Sequence, residues 1–187
     1  MERDFTFTTY AWLLEEILRT GRPVFPLREY IRTGRGVPAL FILRHDVDRR
    51  PVNALKMALL EHGRGVRTTY YFRVRPGVFK QEIIRRIADL GHEVGYHYEA
   101  LDKARGDIRK AERIFAEELK GFRRIVEVDT AAMHGNPLSP RDNRELWRHV
   151  PLARYGLLGE AYLSVKDRGL FYVTDTGRGW NRTSRNL

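Results

Sequence analysis

Three short stretches of the 187-residue sequence hold side chains that could do chemistry together: Asp46 and Asp48 in Arg-His-Asp-Val-Asp, His97 in Gly-Tyr-His-Tyr-Glu, and His134 in Met-His-Gly-Asn. Carboxylate and imidazole in combination bind divalent cations, and such an ion polarises a carbonyl and lowers the pKa of bound water. A second carboxylate beside that water could take its proton during attack. The sequence has no cysteine, which excludes disulfides and thiolate sites, so any metal must be held by His and carboxylate ligands.

The elements that would position these residues can be read from periodicity. Residues 8–20 carry Tyr10, Leu13, Leu14, Ile17 and Leu18 at helical spacing, with Gly21 as the stop, and 27–31 suit a short second helix. Residues 39–44 form an apolar run that ends in charge and reads as a buried strand. A helix over 51–62 starts on a proline, where the missing N–H costs nothing. Residues 67–74, rich in Thr, Tyr and Phe, suit a strand. A helix over 77–90, a strand over 92–98, a helix over 107–119, a strand over 124–132, a helix over 141–149 and a strand over 170–174 follow. This alternation calls for a parallel sheet, open or closed into a barrel.

In such folds ligands bind at the carboxyl ends of the strands. Arg44, His45, Asp46, Val47 and Asp48 follow the first expected strand, and His97, Tyr98 and Glu99 the third. His134, Gly135 and Asn136 follow the fourth, and Asp175, Arg178 and Trp180 the last. Titratable groups therefore converge on one rim. Each has a structural alternative. Asp48 could cap the helix that begins near Pro51. Asp46, expected at a buried strand end, is costly there unless paired or bound to a cation. His62 and His149 lie late in amphipathic helices and suit the surface. His92 opens its strand and belongs at the end opposite the rim. Tyr70, Tyr71 and Phe72 suit strand packing, not a platform for bases.

The formal net charge is +10, and lysine occurs only at 56, 80, 103, 110, 120 and 166, so arginine dominates. Basic residues run along the whole chain, which suits a surface preference for arginine better than an anionic partner. A nucleic-acid-binding reading rests on this charge alone, with no recognised motif behind it. Apolar stretches are too short to span a bilayer, and the first residues lack the layout of a signal peptide. A cytoplasmic protein with no membrane association is the expectation; the sequence leaves the oligomeric state open.

Three of the segments together resemble the polysaccharide deacetylase family (the NodB-homology domain, carbohydrate esterase family four). Leu-Arg-His-Asp-Val-Asp, 43–48, resembles the first family motif in a variant where one residue separates the aspartates. Gly-His-Glu-Val-Gly-Tyr-His-Tyr-Glu, 91–99, resembles the approach to the second motif, and Thr-Thr-Tyr-Tyr-Phe, 68–72, the strand between. Met-His-Gly-Asn-Pro, 133–137, and Thr-Asp-Thr-Gly-Arg-Gly-Trp, 174–180, fall where the third and fourth motifs would sit. The resemblance implies that Asp46 is the general base and that Asp48 and His97 are metal ligands. The departures are that Leu101 stands where a second ligand histidine is expected, Tyr98 replaces a Ser or Thr, and no segment resembles the last motif, whose histidine is the general acid. The branch is therefore atypical.

The expected fold is a single α/β domain, a distorted (β/α)7 barrel over 38–180, with a helical segment at 1–37 and a tail at 181–187. The expected activity is metal-dependent hydrolysis of an amide, N-deacetylation of an amino sugar or polysaccharide; the alternative is a sugar-binding pseudo-enzyme of the same fold. The metal would be zinc, with cobalt, nickel or manganese also admitted by mixed imidazole and carboxylate ligands. Asp48 and His97 bind it, with His134 preferred to Glu99 as third ligand. Glu99 instead pairs with Arg44 or orients His97. His134 could alternatively supply the missing acid. Arg44, Asn136, Asp175, Arg178 and Trp180 are the expected substrate-binding residues, with Asp175 or Arg178 holding Asp46 ionised.

Overall fold

The computed structural model describes residues 6–136, 139–166 and 168–174. Seven strands and seven α-helices are formed among them: β1 (Val24–Phe25), β2 (Phe41–Ile42), β3 (Arg44–Val47), β4 (Thr69–Phe72), β5 (Glu93–Tyr98), β6 (Thr130–Met133) and β7 (Gly159–Glu160). The helices are α1 (Phe7–Arg19), α2 (Leu27–Arg32), α3 (Pro51–His62), α4 (Gln81–Asp89), α5 (Ala100–Lys103), α6 (Ile108–Arg123) and α7 (Leu146–His149). Every strand pairing is parallel. β1 and β2 make one small sheet, and β3 to β7 make a second sheet in chain order. Among the described residues no helix is long and apolar enough to cross a membrane.

Local chemistry explains most boundaries. The Thr6 hydroxyl accepts from the Thr9 amide and starts α1, and the Asp107 carboxylate accepts from the Lys110 amide and starts α6. Pro51 opens α3, and Gly91, at φ 89°, turns the chain from α4 towards β5. α6 runs four residues past its expected end, because Phe122 is fully buried against Phe79 and Tyr96. That extension shortens β6, which begins at Thr130 and not near 124.

Two expectations about strands and one about a helix are corrected. The single first strand at 39–44 is two: Phe41 and Ile42 pair with β1, whereas the Leu43 carbonyl accepts from the Thr69 amide and residues 44–47 pair with β4. One extended segment thus changes neighbours partway along, and apolarity cannot report which neighbour it has. Residues 170–174 form no strand. Among the described residues the last strand is instead β7, a two-residue element held by the Leu158 amide on the Asp129 carbonyl and the Ala161 amide on the Ala131 carbonyl. The 141–149 helix is likewise shorter, a 3-10 turn over Asn143–Glu145 followed by α7.

The larger sheet is buried on both faces, as all-parallel sheets are. On one face Val47, Tyr70, Phe72, Val94, Tyr96 and Tyr98 pack against Ala54 and Ala58 of α3, Ile84 and Ile87 of α4, and Phe115, Leu119 and Phe122 of α6. Truncating a fully buried ring such as Phe115 to alanine typically costs about 3–5 kcal/mol. The other face carries Tyr71 and Ala132 against Leu27 and Tyr30 of α2. Gly95 is required here, because a Cβ on it would lie 2.3 Å from the Tyr71 ring and 2.9 Å from the Thr130 carbonyl. Tyr70, Tyr71 and Phe72 are core residues with no exposed surface, as the strand reading expected. His62 and His149 are exposed, also as expected.

Candidate metal centre

Side chains alternate across a strand, so Asp46 and Asp48 point to the face opposite His45 and Val47. Asp48 follows the last residue of β3, His97 is the fifth residue of β5, and His134 follows β6. Parallel pairing of β3, β4, β5 and β6 brings these three positions to one end of the sheet. Asp48, His97 and His134 each offer one ligand atom to a common point, forming a group that could hold a metal ion. Asp48 Oδ1 lies 3.1 Å from His134 Nδ1 and 3.6 Å from His97 Nε2, and the two ring nitrogens are 3.2 Å apart. Tetrahedral zinc with bonds of about 2.0–2.1 Å places its ligand atoms about 3.3–3.4 Å apart. The three atoms therefore trace one face of such a tetrahedron and leave a fourth position open.

The protonation chemistry agrees. The Ala132 carbonyl can only accept, so His97 Nδ1, 3.0 Å from it, carries the hydrogen and Nε2 presents a lone pair to the centre. Burial pushes the His97 imidazole below the usual histidine range, against the opposing pull of Asp46 and Asp48, and favours the neutral ring that a ligand must be. Asp48 Oδ1 is buried, and although His134 stands 3.1 Å away, among the described residues no neighbour directs a hydrogen at it, so it has no hydrogen-bond partner there. An orphaned carboxylate oxygen is costly in a protein interior, and a bound cation relieves that cost. Burial alone would raise the Asp48 pKa, but His134, His97 and Arg73 outweigh it and hold the group below the ordinary carboxylate range.

Neighbouring residues orient these side chains. Arg73, at the end of β4, stands 3.8 Å from Asp48 Oδ1 and forms a close ion pair with Glu99. Lys103 also faces Glu99, at 3.5 Å. Glu99 is thus bound to Arg73 and Lys103; it pairs with neither Arg44 nor His97, contrary to expectation. Asn143 is buried and ties the loops together: its carbonyl oxygen accepts the Leu101 and Asp102 amides, while its amide nitrogen donates to the His134 carbonyl. Leu101 itself lies in the apolar core. The site where the resemblance expects a second histidine is therefore turned away from the metal centre, and His134 from the next strand stands with His97 instead. Asp48 does not cap α3, whose cap position is Arg50 with no side-chain hydrogen bond.

Asp46 is exposed and lies within β3; the buried strand end expected for it is corrected. Its partner is Arg44, whose Nη2 donates to Asp46 Oδ2 at 3.1 Å and to the hydroxyls of Tyr162 at 2.7 Å and Tyr172 at 3.3 Å. The guanidinium also lies over the Tyr162 ring, 4.4 Å from its centroid. Burial would lower the Arg44 pKa, but Asp46 and the two tyrosines raise it, and burial in turn pushes Tyr162 up to about 12. Arg44 thus holds Asp46, a task expected of Asp175 or Arg178. Asp175, Arg178 and Trp180 lie outside the described residues. Asn136 is exposed in the loop after His134, where its carbonyl accepts the Ser139 amide.

Sequence reading did not single out Asn143, Glu160, Tyr162 or Tyr172. Glu160 is fully buried and accepts three backbone amides, from Met133, Tyr162 and Leu163, which fixes the turn that brings Tyr162 to Arg44. The only signal for it was a carboxylate in an otherwise apolar stretch, 157–163. Compared with protein-family models, with curated proteins and with solved structures, the chain finds no match.

Proposed function

We propose that this protein is a metal-dependent amide hydrolase that removes the acyl group from an N-acylated amino sugar, as its resemblance to polysaccharide deacetylases implies. The observation that carries the reading is the orphaned Asp48 oxygen grouped with two imidazole nitrogens at tetrahedral spacing. Asp48, His97 and His134 would hold the ion, with zinc preferred for a three-ligand site of this kind. A divalent ion bound there supplies a Lewis acid for the amide carbonyl and lowers the pKa of water.

The chain's own residues supply the rest. Asp46 takes the proton of the attacking water, and Arg44 holds its carboxylate in place while leaving it exposed. His97 is kept neutral and oriented by the Ala132 carbonyl. With His134 committed as a ligand, delivery of a proton to the leaving amine falls to another group. We also read the two parallel sheets as parts of one distorted (β/α)7 barrel, which the shared extended segment at 41–47 supports.

Metal analysis of the purified protein, paired with acetate release from short N-acetylglucosamine oligomers, tests this reading. One divalent ion per chain is expected, absent from an Asp48→Ala, His97→Ala double variant. Asp46→Asn should keep the ion and lose nearly all turnover. Unchanged metal content in the double variant refutes the site. A bound ion with no hydrolysis of any acylated amino sugar makes the protein a binding module instead.

A further inference from the structure

The loops that follow β3 and β4 and the first turns of α3 and α4 line an open cleft of about 810 Å³ at the same end of the sheet as the candidate metal centre, with Arg49, Arg50, Lys80 and Arg85 and a single carboxylate, Glu82, on its walls. That volume falls within the roughly 300–1,000 Å³ common for ligand pockets. The cleft is continuous in the chain with the site: Asp48 leads directly into Arg49 and Arg50, and Arg73 leads into the loop that carries Gly77 and Phe79. All four cations are exposed, and among the described residues none of them has a carboxylate partner. Other exposed cations, such as Arg109, Arg113 and Lys120 of α6, also have no carboxylate partner among the described residues, so it is the gathering of four of them in one concavity that distinguishes the cleft. Cations that share a concave, low-dielectric wall reinforce one another's field, and the free ligand they select is an anion. Phe79 and Ile83, both partly buried, give the cleft an apolar floor on which a sugar ring could lie.

We propose that this cleft is a subsite for the acidic group of the substrate, so that the amino sugar processed at the metal centre belongs to an anionic glycan. The inference rests on the hydrolase reading for its substrate class, but the subsite is tested by binding alone. Its recognition chemistry is charge-assisted hydrogen bonding from guanidinium and ammonium groups to carboxylate, sulfate or phosphate oxygens. A neutral oligomer gains nothing from these four residues.

The experiment is calorimetric titration of the full chain at low salt with a hyaluronan hexasaccharide, which alternates glucuronate with N-acetylglucosamine, and with the neutral hexamer of N-acetylglucosamine. A 6-sulfated form of the neutral hexamer separates carboxylate from sulfate as the preferred anion. The acidic ligands should bind about tenfold tighter than the neutral one, a difference of about 1.4 kcal/mol. Arg50→Gln, Lys80→Gln, Arg85→Gln in one triple variant should reduce the difference to within twofold, with the thermal midpoint unchanged. A control triple variant in α6, Arg109→Gln, Arg113→Gln, Lys120→Gln, removes equal charge from another exposed surface and should keep the preference. Equal affinity of the wild type for acidic and neutral hexamers overturns the proposal, as does equal loss in the control. Tighter binding of a short DNA duplex than of either acidic glycan also overturns it, and assigns the cleft to nucleic acid. Metal content and turnover do not enter these outcomes, so failure of the subsite and failure of the hydrolase reading are separable.

Discussion

Two clusters of carboxylate and imidazole flank the same strand, β3, on opposite faces, and they differ in how their carboxylates are satisfied. On one face Asp48 meets His97 and His134 with an oxygen that no hydrogen bond from the described residues reaches. On the other, Glu61 of α3 is fully buried, where Asp48 is half-exposed, and it is saturated: the Tyr10 and Tyr70 hydroxyls, the Thr68 hydroxyl and His45 all contact it, with His92 3.6 Å away. His45, next to Asp46 in the sequence, belongs to this second cluster, where it lies 4.6 Å from the Tyr70 ring. Residue types alone make the two clusters look alike. The difference lies in donors: four polar neighbours make Glu61 a tie between α1, α3 and the sheet, whereas a shortage of them leaves Asp48 in a group that could hold a cation.

The sharpest way to break this contrast is to remove the two carboxylates separately. Glu61→Ala would leave the buried Tyr70 and Thr68 hydroxyls and His45 without their acceptor, and should destabilise the fold by about 3–5 kcal/mol in urea titrations while leaving metal content unchanged. Asp48→Ala should do the reverse, abolishing metal binding with little loss of stability in the metal-free protein. Comparable destabilisation by both would mean that the two clusters serve the same structural purpose.

Acid should also distinguish them. Burial alone would raise the Glu61 pKa, but attraction to His45 and hydrogen bonds from His45, Tyr10 and Tyr70 outweigh it and lower the group from 4.5 to about 2. A depressed carboxyl pKa stabilises the fold above the unfolded value and loses that contribution as pH falls towards the folded one. On the order of 3 kcal/mol should therefore disappear between about pH 4.5 and pH 2. Urea midpoints measured across that range for the wild type and Glu61→Gln check this; the variant should show a visibly flatter profile.

A smaller effect is expected at Arg73, which touches no ligand of the site except Asp48 and is anchored by Glu99. Arg73→Gln should weaken metal binding by about 10–100-fold, the usual cost of losing an orienting neighbour. Arg73→Lys, which retains the charge, should recover part of that loss. An unchanged metal affinity in Arg73→Gln would confine Arg73 to holding Glu99.

Much of this arrangement is legible in the sequence. The helix over Pro51–His62 follows from its proline and its periodicity, and the Asp107 cap and the glycine after α4 mark boundaries by backbone chemistry alone. Asp48, His97 and His134 each follow or end an apolar run, so the rule that parallel sheets gather function at their carboxyl ends already groups them. What the sequence could not decide is what depends on neighbours distant in the chain. Whether residues 39–47 make one strand or two depends on which strand lies on each side, and β7 is too short and too poor in β-branched residues to announce itself. Asp46 is held by Arg44 through tyrosines more than a hundred positions away, and Glu99 turns to Arg73 and Lys103. His45 and Asp46 are adjacent in sequence, yet the strand's alternation sends one to a saturated structural cluster and the other to the rim of the candidate metal centre. The sequence determined which residue types could do chemistry and roughly where they emerge from the sheet; only the tertiary structure decided which carboxylate finds enough donors and which is left short of them in a group that could hold a cation.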